Sequence, residues 1–203
     1  MYIKASHIAN LTDARYFAAR EVNYLGFCLE ENSPTSIEPA AMKAICAWVE
    51  GPSIVGEFGQ ADADVIRAAV EFFDLDAVQT SRLEVLPALK ELEVIFQISK
   101  VDQPEDVAPI LKSARPFAAF FLVELSESAA RMALKDERVV QSWSALCNQA
   151  PLLFDIPLPA LQTATLITAI QPAGFSLRGS AEERPGFKSF DEIDALFEAL
   201  GYT

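Results

Sequence analysis

The chain is poor in histidine, in basic residues and in cysteines that could pair, and each shortage removes a class of function. Its 203 residues hold one histidine, 16 Lys and Arg against 29 Asp and Glu, and three cysteines. A net charge of −13 and an isoelectric point near 4.5 exclude a nucleic-acid partner, because phosphate backbones need a basic footprint. The same field slightly disfavours polyanionic substrates, although a local site can override it. Cys28, Cys46 and Cys147 are odd in number and widely spaced, so they form neither a disulfide framework nor a metal-ligand cluster. No metal and no cofactor is expected. No Gly-x-Gly-x-x-Gly follows any strand-like segment, which removes the dinucleotide-binding fingerprint. The longest apolar run, near Phe117 to Val123, is too short to span a bilayer, and the first residues are too polar for a signal peptide. The expectation is a cytoplasmic protein that binds neither membrane nor nucleic acid.

What is present is a globular chain. Hydrophobic residues make up 51% and mean hydropathy is +0.20, enough to bury a substantial core. Strand-like and helix-like patterns alternate from end to end. Strands are predicted over Tyr2–Ser6, Tyr24–Leu29, Ser53–Phe58, Ala77–Thr80, Glu93–Ile98, Phe117–Glu124, Leu152–Ile156 and Gly174–Arg178. Helices are predicted over Asp13–Arg20, Pro39–Val49, Ala63–Phe73, Leu83–Leu92, Pro104–Ser113, Ser128–Ala145, Pro159–Ile170 and Phe190–Leu200. Several strands, such as Ala118-Ala119-Phe120-Phe121-Leu122-Val123, are apolar on both faces, as parallel strands covered by helices are. Eight βα units without a linker or low-complexity tract imply an α/β fold, a single-domain (β/α)8 TIM barrel over residues 1–203. Asn10 or Thr12 is expected to cap the first helix and Asp62 the third, with Pro39, Pro104 and Pro159 in first-turn positions. Cys28, in an apolar strand, is expected to pack as a small hydrophobe.

Several segments carry a resemblance in a shared order. The opening Lys4-Ala5-Ser6-His7-Ile8-Ala9, then Asp13-Ala14, Gly26-Phe27 and Ser33-Pro34, resembles the start of phosphoribosylanthranilate isomerase, which runs Lys-Ile-Cys-Gly-Ile-Thr, Asp-Ala, Gly-Phe, Ser-Pro-Arg. Val55-Gly56-Glu57-Phe58, Leu75-Asp76-Ala77-Val78-Gln79 and Glu182-Glu183-Arg184-Pro185-Gly186-Phe187-Lys188 look like later motifs of the same family. The resemblance implies an Amadori rearrangement of a phosphorylated ribosylamine to a 1-deoxyketose, a step of tryptophan biosynthesis. That chemistry needs an acid for the ring oxygen and a base for the sugar C2 proton.

The resemblance also says where those groups belong, and several positions have changed. The base belongs at the end of the first strand, where this chain has Ser6, whose hydroxyl is far less acidic than a thiol. The acid maps to Glu124, which follows an apolar strand where burial raises a carboxyl pKa. His7, adjacent to Ser6 and in the family's glycine position, is a candidate replacement base. Neighbours on an extended strand face opposite ways, however, so the two need not touch. The family's glycine-rich phosphate loops are replaced by Leu125-Ser126-Glu127-Ser128 after the sixth strand and by Asp155-Ile156-Pro157-Leu158 after the seventh. Gly179-Ser180 survives after the eighth, with Arg178 beside it as a cation. Thr35 stands where an arginine is expected, and Ser81-Arg82 where His-Gly is expected. The candidate sites are therefore Ser6, His7 and Glu124 for catalysis, and Lys4, Gln79, Arg82, Asp155, Arg178, Gly179 and Ser180 for substrate. Lys4 serves equally well as a structural ion-pair partner, and Asp13 as a first-turn helix charge. Three readings stay open: a divergent isomerase on a phosphorylated sugar derivative, a related barrel with another small-molecule ligand, and a non-catalytic member that binds a protein partner. A monomer or a homodimer is expected.

Overall fold

The alternation predicted from sequence closes on itself. In the computed structural model eight parallel strands form a closed barrel in the order β1 to β8. They are β1 Tyr2–Ser6, β2 Tyr24–Cys28, β3 Ser53–Glu57, β4 Ala77–Thr80, β5 Glu93–Val101, β6 Phe120–Leu125, β7 Leu152–Asp155 and β8 Gly174–Arg178. The intervening helices are α1 Leu11–Ala19, α2 Pro39–Cys46, α3 Ala63–Phe73, a 3₁₀ helix Leu83–Leu89, α4 Pro104–Ala114, α5 Glu127–Ala133, α6 Glu137–Cys147 and α7 Ala160–Ile170, with α8 Asp191–Ala199 last. Between β8 and α8 lies a short antiparallel pair, β9 Glu182–Arg184 and β10 Phe187–Lys188. The structure describes residues 1–31, 33–179, 182–184 and 187–202, with 182–184 and 187–188 as backbone only. Ser180 and the Pro185-Gly186 motif therefore lie outside the described residues. No helix among the described residues is long and apolar enough to cross a membrane.

Strand alternation sorts the core into two layers. Outward positions such as Ile3, Leu25, Val78, Phe121, Phe154 and Phe175 pack against the helices. Trp143 on α6 meets Phe154 edge-to-face at 5.4 Å. Inward positions Tyr24, Val55, Ala77, Ile95, Leu122 and Leu153, with Phe120, plug the barrel interior. Moving toward the C-terminal ends of the strands, the inward side chains change from apolar to polar, and that change places the site.

Local chemistry explains the boundaries and three departures from expectation. Asn10 caps α1, its Oδ1 accepting from the Asp13 amide at 2.9 Å; Thr12 lies inside that helix. Asp62 occupies the N-cap position of α3 without a side-chain capping bond, because its carboxylate pairs with Arg82. Pro39 and Pro104 do sit in first turns, whereas Pro159 is the N-cap residue of α7. The single helix predicted over Ser128–Ala145 is two, α5 and α6, because Asp136 starts a new helix by accepting from the Arg138 amide at 2.9 Å.

Asn10 does double service at α1, since its Nδ2 also donates to Asp13 Oδ2 at 2.8 Å. Asn10→Ala is expected to lower folding stability by about 1 kcal/mol, read as a lower urea midpoint with an unchanged m-value.

Candidate active site at the C-terminal mouth

Each of the eight strands delivers a polar side chain to the C-terminal mouth. They are Ser6 from β1, Cys28 from β2, Glu57 from β3, Gln79 from β4, Gln97 from β5, Glu124 from β6, Asp155 from β7 and Ser176 with Arg178 from β8. Parallel pairing levels them in two groups. Cys28, Glu57 and Gln79 are register partners across β2, β3 and β4. Glu124, Asp155, Ser176 and Lys4 are partners across β6, β7, β8 and β1.

A buried ion pair lies between these groups. Lys4 is fully buried and its Nζ donates to Glu57, which is 3% exposed, and to Ser6 Oγ at 2.6 Å. Ser6 Oγ shares a further hydrogen bond with Ser176 Oγ at 2.8 Å. The bond between Lys4 and Glu57 crosses β2, and only a glycine lets it pass. A Cβ on Gly26 would lie 2.1 Å from Glu57 Oε1 and 2.7 Å from Lys4 Nζ. Burial alone would raise the Glu57 carboxyl, but Lys4 and His7 overcome that and hold it below the ordinary carboxylate range. Ser6 is thus hydrogen-bonded to Lys4 and Ser176, an arrangement that gives it no base to take its proton.

His7 and Cys28 form the second feature. His7 leaves the strand with φ of 55°, a left-handed conformation that favours glycine, though histidine is among the residues that tolerate it. The turn aims its backbone N–H at Glu57 Oε2 at 3.1 Å and brings Nδ1 to 3.6 Å from the same oxygen. The imidazole meets the Cys28 thiol, 3% exposed, side chain to side chain. That contact is the largest influence on His7 and raises its pKa above 6.5, opposed by burial and assisted by Glu57. Burial pushes the Cys28 thiol up, yet hydrogen bonds with His7, Thr35, Ser33 and the Glu30 backbone together bring it down to about 7. Cys28 is buried, as a packing residue is, and it also faces these polar groups. The signal available in the sequence was its spacing, two residues after Gly26 on the same inward face.

The opposite wall is acidic. Arg178 bridges Glu124 at 3.3 Å and Asp155 at 3.4 Å. Burial raises the Asp155 carboxyl, Arg178 counters it and Glu124 adds to it. Gly179 follows, backed by the buried Asp13: a Cβ there would lie 2.4 Å from Asp13 Oδ2. Asp13 does occupy the first turn of α1, as expected, but packed inward rather than as a solvated charge.

The structure thus gathers Lys4, Ser6, His7, Gln79, Glu124, Asp155, Arg178 and Gly179 at one end of the barrel. Gln79 is 2% exposed; its Nε2 donates to Gln97 Oε1 at 3.0 Å, while its own Oε1 has no partner. Arg82 stands apart, paired with Asp62 and, at 3.9 Å, Glu84. Cys28, Glu57, Gln97 and Ser176 are the mouth residues that sequence reasoning passed over. Among the described residues no group of three or more His, Cys, Asp or Glu could hold a metal ion.

Removing one partner of a buried pair strands the other charge. Lys4→Met is expected to cost about 3–5 kcal/mol at neutral pH, much of it recovered by adding Glu57→Gln. Because the folded pKa of Glu57 is lowered, its contribution is complete above its unfolded value of about 4.3 and fades as pH falls through the folded one. The gap between wild type and Lys4→Met in urea titrations should accordingly narrow on acidification.

Solved structures share this barrel. The phosphoribosyl anthranilate isomerase from Thermus thermophilus superposes with a TM-score of 0.78 at 23% identity, over 99% of this chain and 98% of that one. The enzyme from Thermotoga maritima gives 0.79 at 20% identity over 99% and 98%. A phosphoribosyl anthranilate isomerase in complex with reduced 1-(o-carboxyphenylamino)-1-deoxyribulose 5-phosphate gives 0.76 at 20% identity over the same shares. No protein-family model matches the chain, and no curated protein matches it in sequence. At such identities the likeness is one of fold, and activity has to be argued from the site. The chain is a single-domain (β/α)8 barrel similar in structure to the phosphoribosylanthranilate isomerases along nearly its whole length.

Proposed function

We propose that this chain is an isomerase of the phosphoribosylanthranilate isomerase type, converting an N-glycosylamine of a phosphorylated sugar into a 1-amino-1-deoxyketose. The carrying observation is the split mouth: a half-buried carboxyl on β7 whose pKa is raised faces a Lys-Glu-His-Cys group on β1 to β3. Groups whose environments push their pKa values apart are the mark of acid–base catalysis.

In that reaction the acid protonates the ring oxygen as the C1–O bond breaks, and the nitrogen lone pair forms the C=N bond. Asp155 suits this step, since burial favours its neutral form and it is held by Arg178. Glu124, its register neighbour, is the second carboxyl of the acidic wall. Gln79 Oε1, buried and unpartnered, accepts from a substrate hydroxyl or amine. Arg178, followed by Gly179, supplies the cationic corner for the sugar phosphate. Such an enzyme needs no cofactor, acts in the cytoplasm and works as a monomer or homodimer. The carboxylates of Asp13 and Asp155 near that corner favour a second reading, in which the barrel takes a sugar amine without a phosphate there.

The test is turnover of N-(5′-phosphoribosyl)anthranilate and of its dephosphorylated counterpart, together with binding of a reduced product analogue. Asp155→Asn is expected to lower kcat by about 10²–10⁴ with a smaller change in KM. Wild-type activity should fall on the alkaline side as Asp155 loses its proton. Turnover of the dephosphorylated compound alone selects the second reading. No turnover of either compound, with no analogue binding, rejects both.

A further inference from the structure

We propose that Cys28 is the proton-accepting residue of this mouth, with His7 as its imidazole partner and Glu57 as the carboxylate that anchors the His7 turn through its backbone N–H. The proposal rests on the isomerase reading for its substrate, but the placement of Cys28, Glu57 and His7 beside one another is independent of any substrate. Three strands build it. Cys28 ends β2 on the inward face, Glu57 is its register partner on β3, and His7 follows β1 in a left-handed turn tied to Glu57 through its backbone N–H. A non-glycine residue held at positive φ costs about 1–3 kcal/mol, and here the imidazole stands between a thiol and a carboxylate. The loop after β2 sets Ser33 and Thr35 beside the sulfur, their hydroxyls bonded to each other at 3.0 Å. Next to Glu57 in the register lies Gln79, buried with a free Oε1, so an unpartnered acceptor faces the same space.

The groups around the pair favour an ionised thiol. His7 faces Cys28, Glu57, Arg178 and Lys4; Cys28 faces His7, Thr35, Ser33 and the Glu30 backbone. Glu57 supports the imidazolium, and hydrogen bonds support the thiolate. The other two thiols do not compete: burial raises Cys46, and raises Cys147 to about 12. In the isomerisation the thiolate takes the proton from the carbon next to the C=N carbon and forms an S–H bond. The C–H electron pair becomes the C=C bond, and the C=N pair returns to nitrogen as a lone pair. Charge balances, and no oxidant or reductant is needed. Ser6, bonded to Lys4 and Ser176, has no part in the step.

The experiment is a pH titration of thiolate absorbance at 240 nm on the intact chain, run beside the isomerase assay. Wild type is expected to show one thiolate step with a midpoint near 7, absent from Cys28→Ser and Cys28→Ala and retained in Cys46→Ser. His7→Asn keeps a residue that accepts positive φ. It should move the midpoint toward the ordinary thiol value of about 8.5, roughly a tenfold loss of thiolate at pH 7. Both cysteine variants should lose about 10²–10⁴ in kcat with KM little changed. A wild-type midpoint near 8.5, or one that His7→Asn leaves in place, overturns the pairing. Full activity in either folded cysteine variant overturns the catalytic role while the isomerase reading stands. If wild type turns over no isomerase substrate, that reading and Cys28's role in it fall together, and the titration still decides the pair.

Discussion

A lysine and a glutamate with almost no access to water can coexist only as partners, and the whole mouth is organised around the place where Lys4 and Glu57 meet. Their contact joins β1 to β3 across the intervening strand, and it exists because Gly26 presents no side chain at that level. Every neighbouring polar group is oriented by it. Ser6 accepts from Lys4 and so links to Ser176; the His7 amide and imidazole turn to the remaining Glu57 oxygen. Desolvation makes such a pair expensive unless the surrounding hydrogen bonds are complete. Here they are supplied from β1, β3 and the turn after β1. The pair is thus both a strut of the barrel and the fixed electrostatic reference of the site.

On either side of that reference the two walls differ in character. One carries imidazole, thiol and the Lys-Glu pair; the other carries Glu124 and Asp155 joined by Arg178. Burial raises both acids: it prevails at Asp155, while hydrogen bonds with His7 and the loop hydroxyls outweigh it at Cys28. An acidic protein can therefore still hold groups with opposite pKa shifts within one opening. The mouth is also where the inward side chains stop being apolar, above the plug of Tyr24, Val55, Ile95, Leu122 and Leu153.

How far all this was legible in sequence varied with the range of the interaction. Strands such as Ala77–Thr80 and Gly174–Arg178 were readable to the residue, because hydrophobic runs and turn signals are local. The break between α5 and α6 was missed because one apolar period runs through it, while the cap at Asp136 depends on a single hydrogen bond. Asp62 fits a cap by residue type, yet it is drawn off by Arg82, twenty positions later. Among the site residues, Lys4, His7, Gln79, Asp155 and Arg178 were found by position, but their partners were not. Glu57 attracted no attention, since a carboxylate at a strand end is ordinary until a buried lysine faces it.

The sequence by itself determined the barrel: eight apolar runs of strand length, each followed by a helical period, admit few other closed packings. It also determined which residue types reach the strand ends. Only the tertiary structure decided what those residues are to one another. Closing the barrel brings β1 beside β2 and β8, and within reach of β3. Residues 50 or more positions apart, Lys4 with Glu57, Ser6 with Ser176 and Arg178 with Glu124, then share hydrogen bonds. A thiol that reads as core packing gains an imidazole neighbour because of a left-handed turn at His7, invisible in the residue pattern. Charge state depends on neighbours and burial, and both are properties of the closed fold.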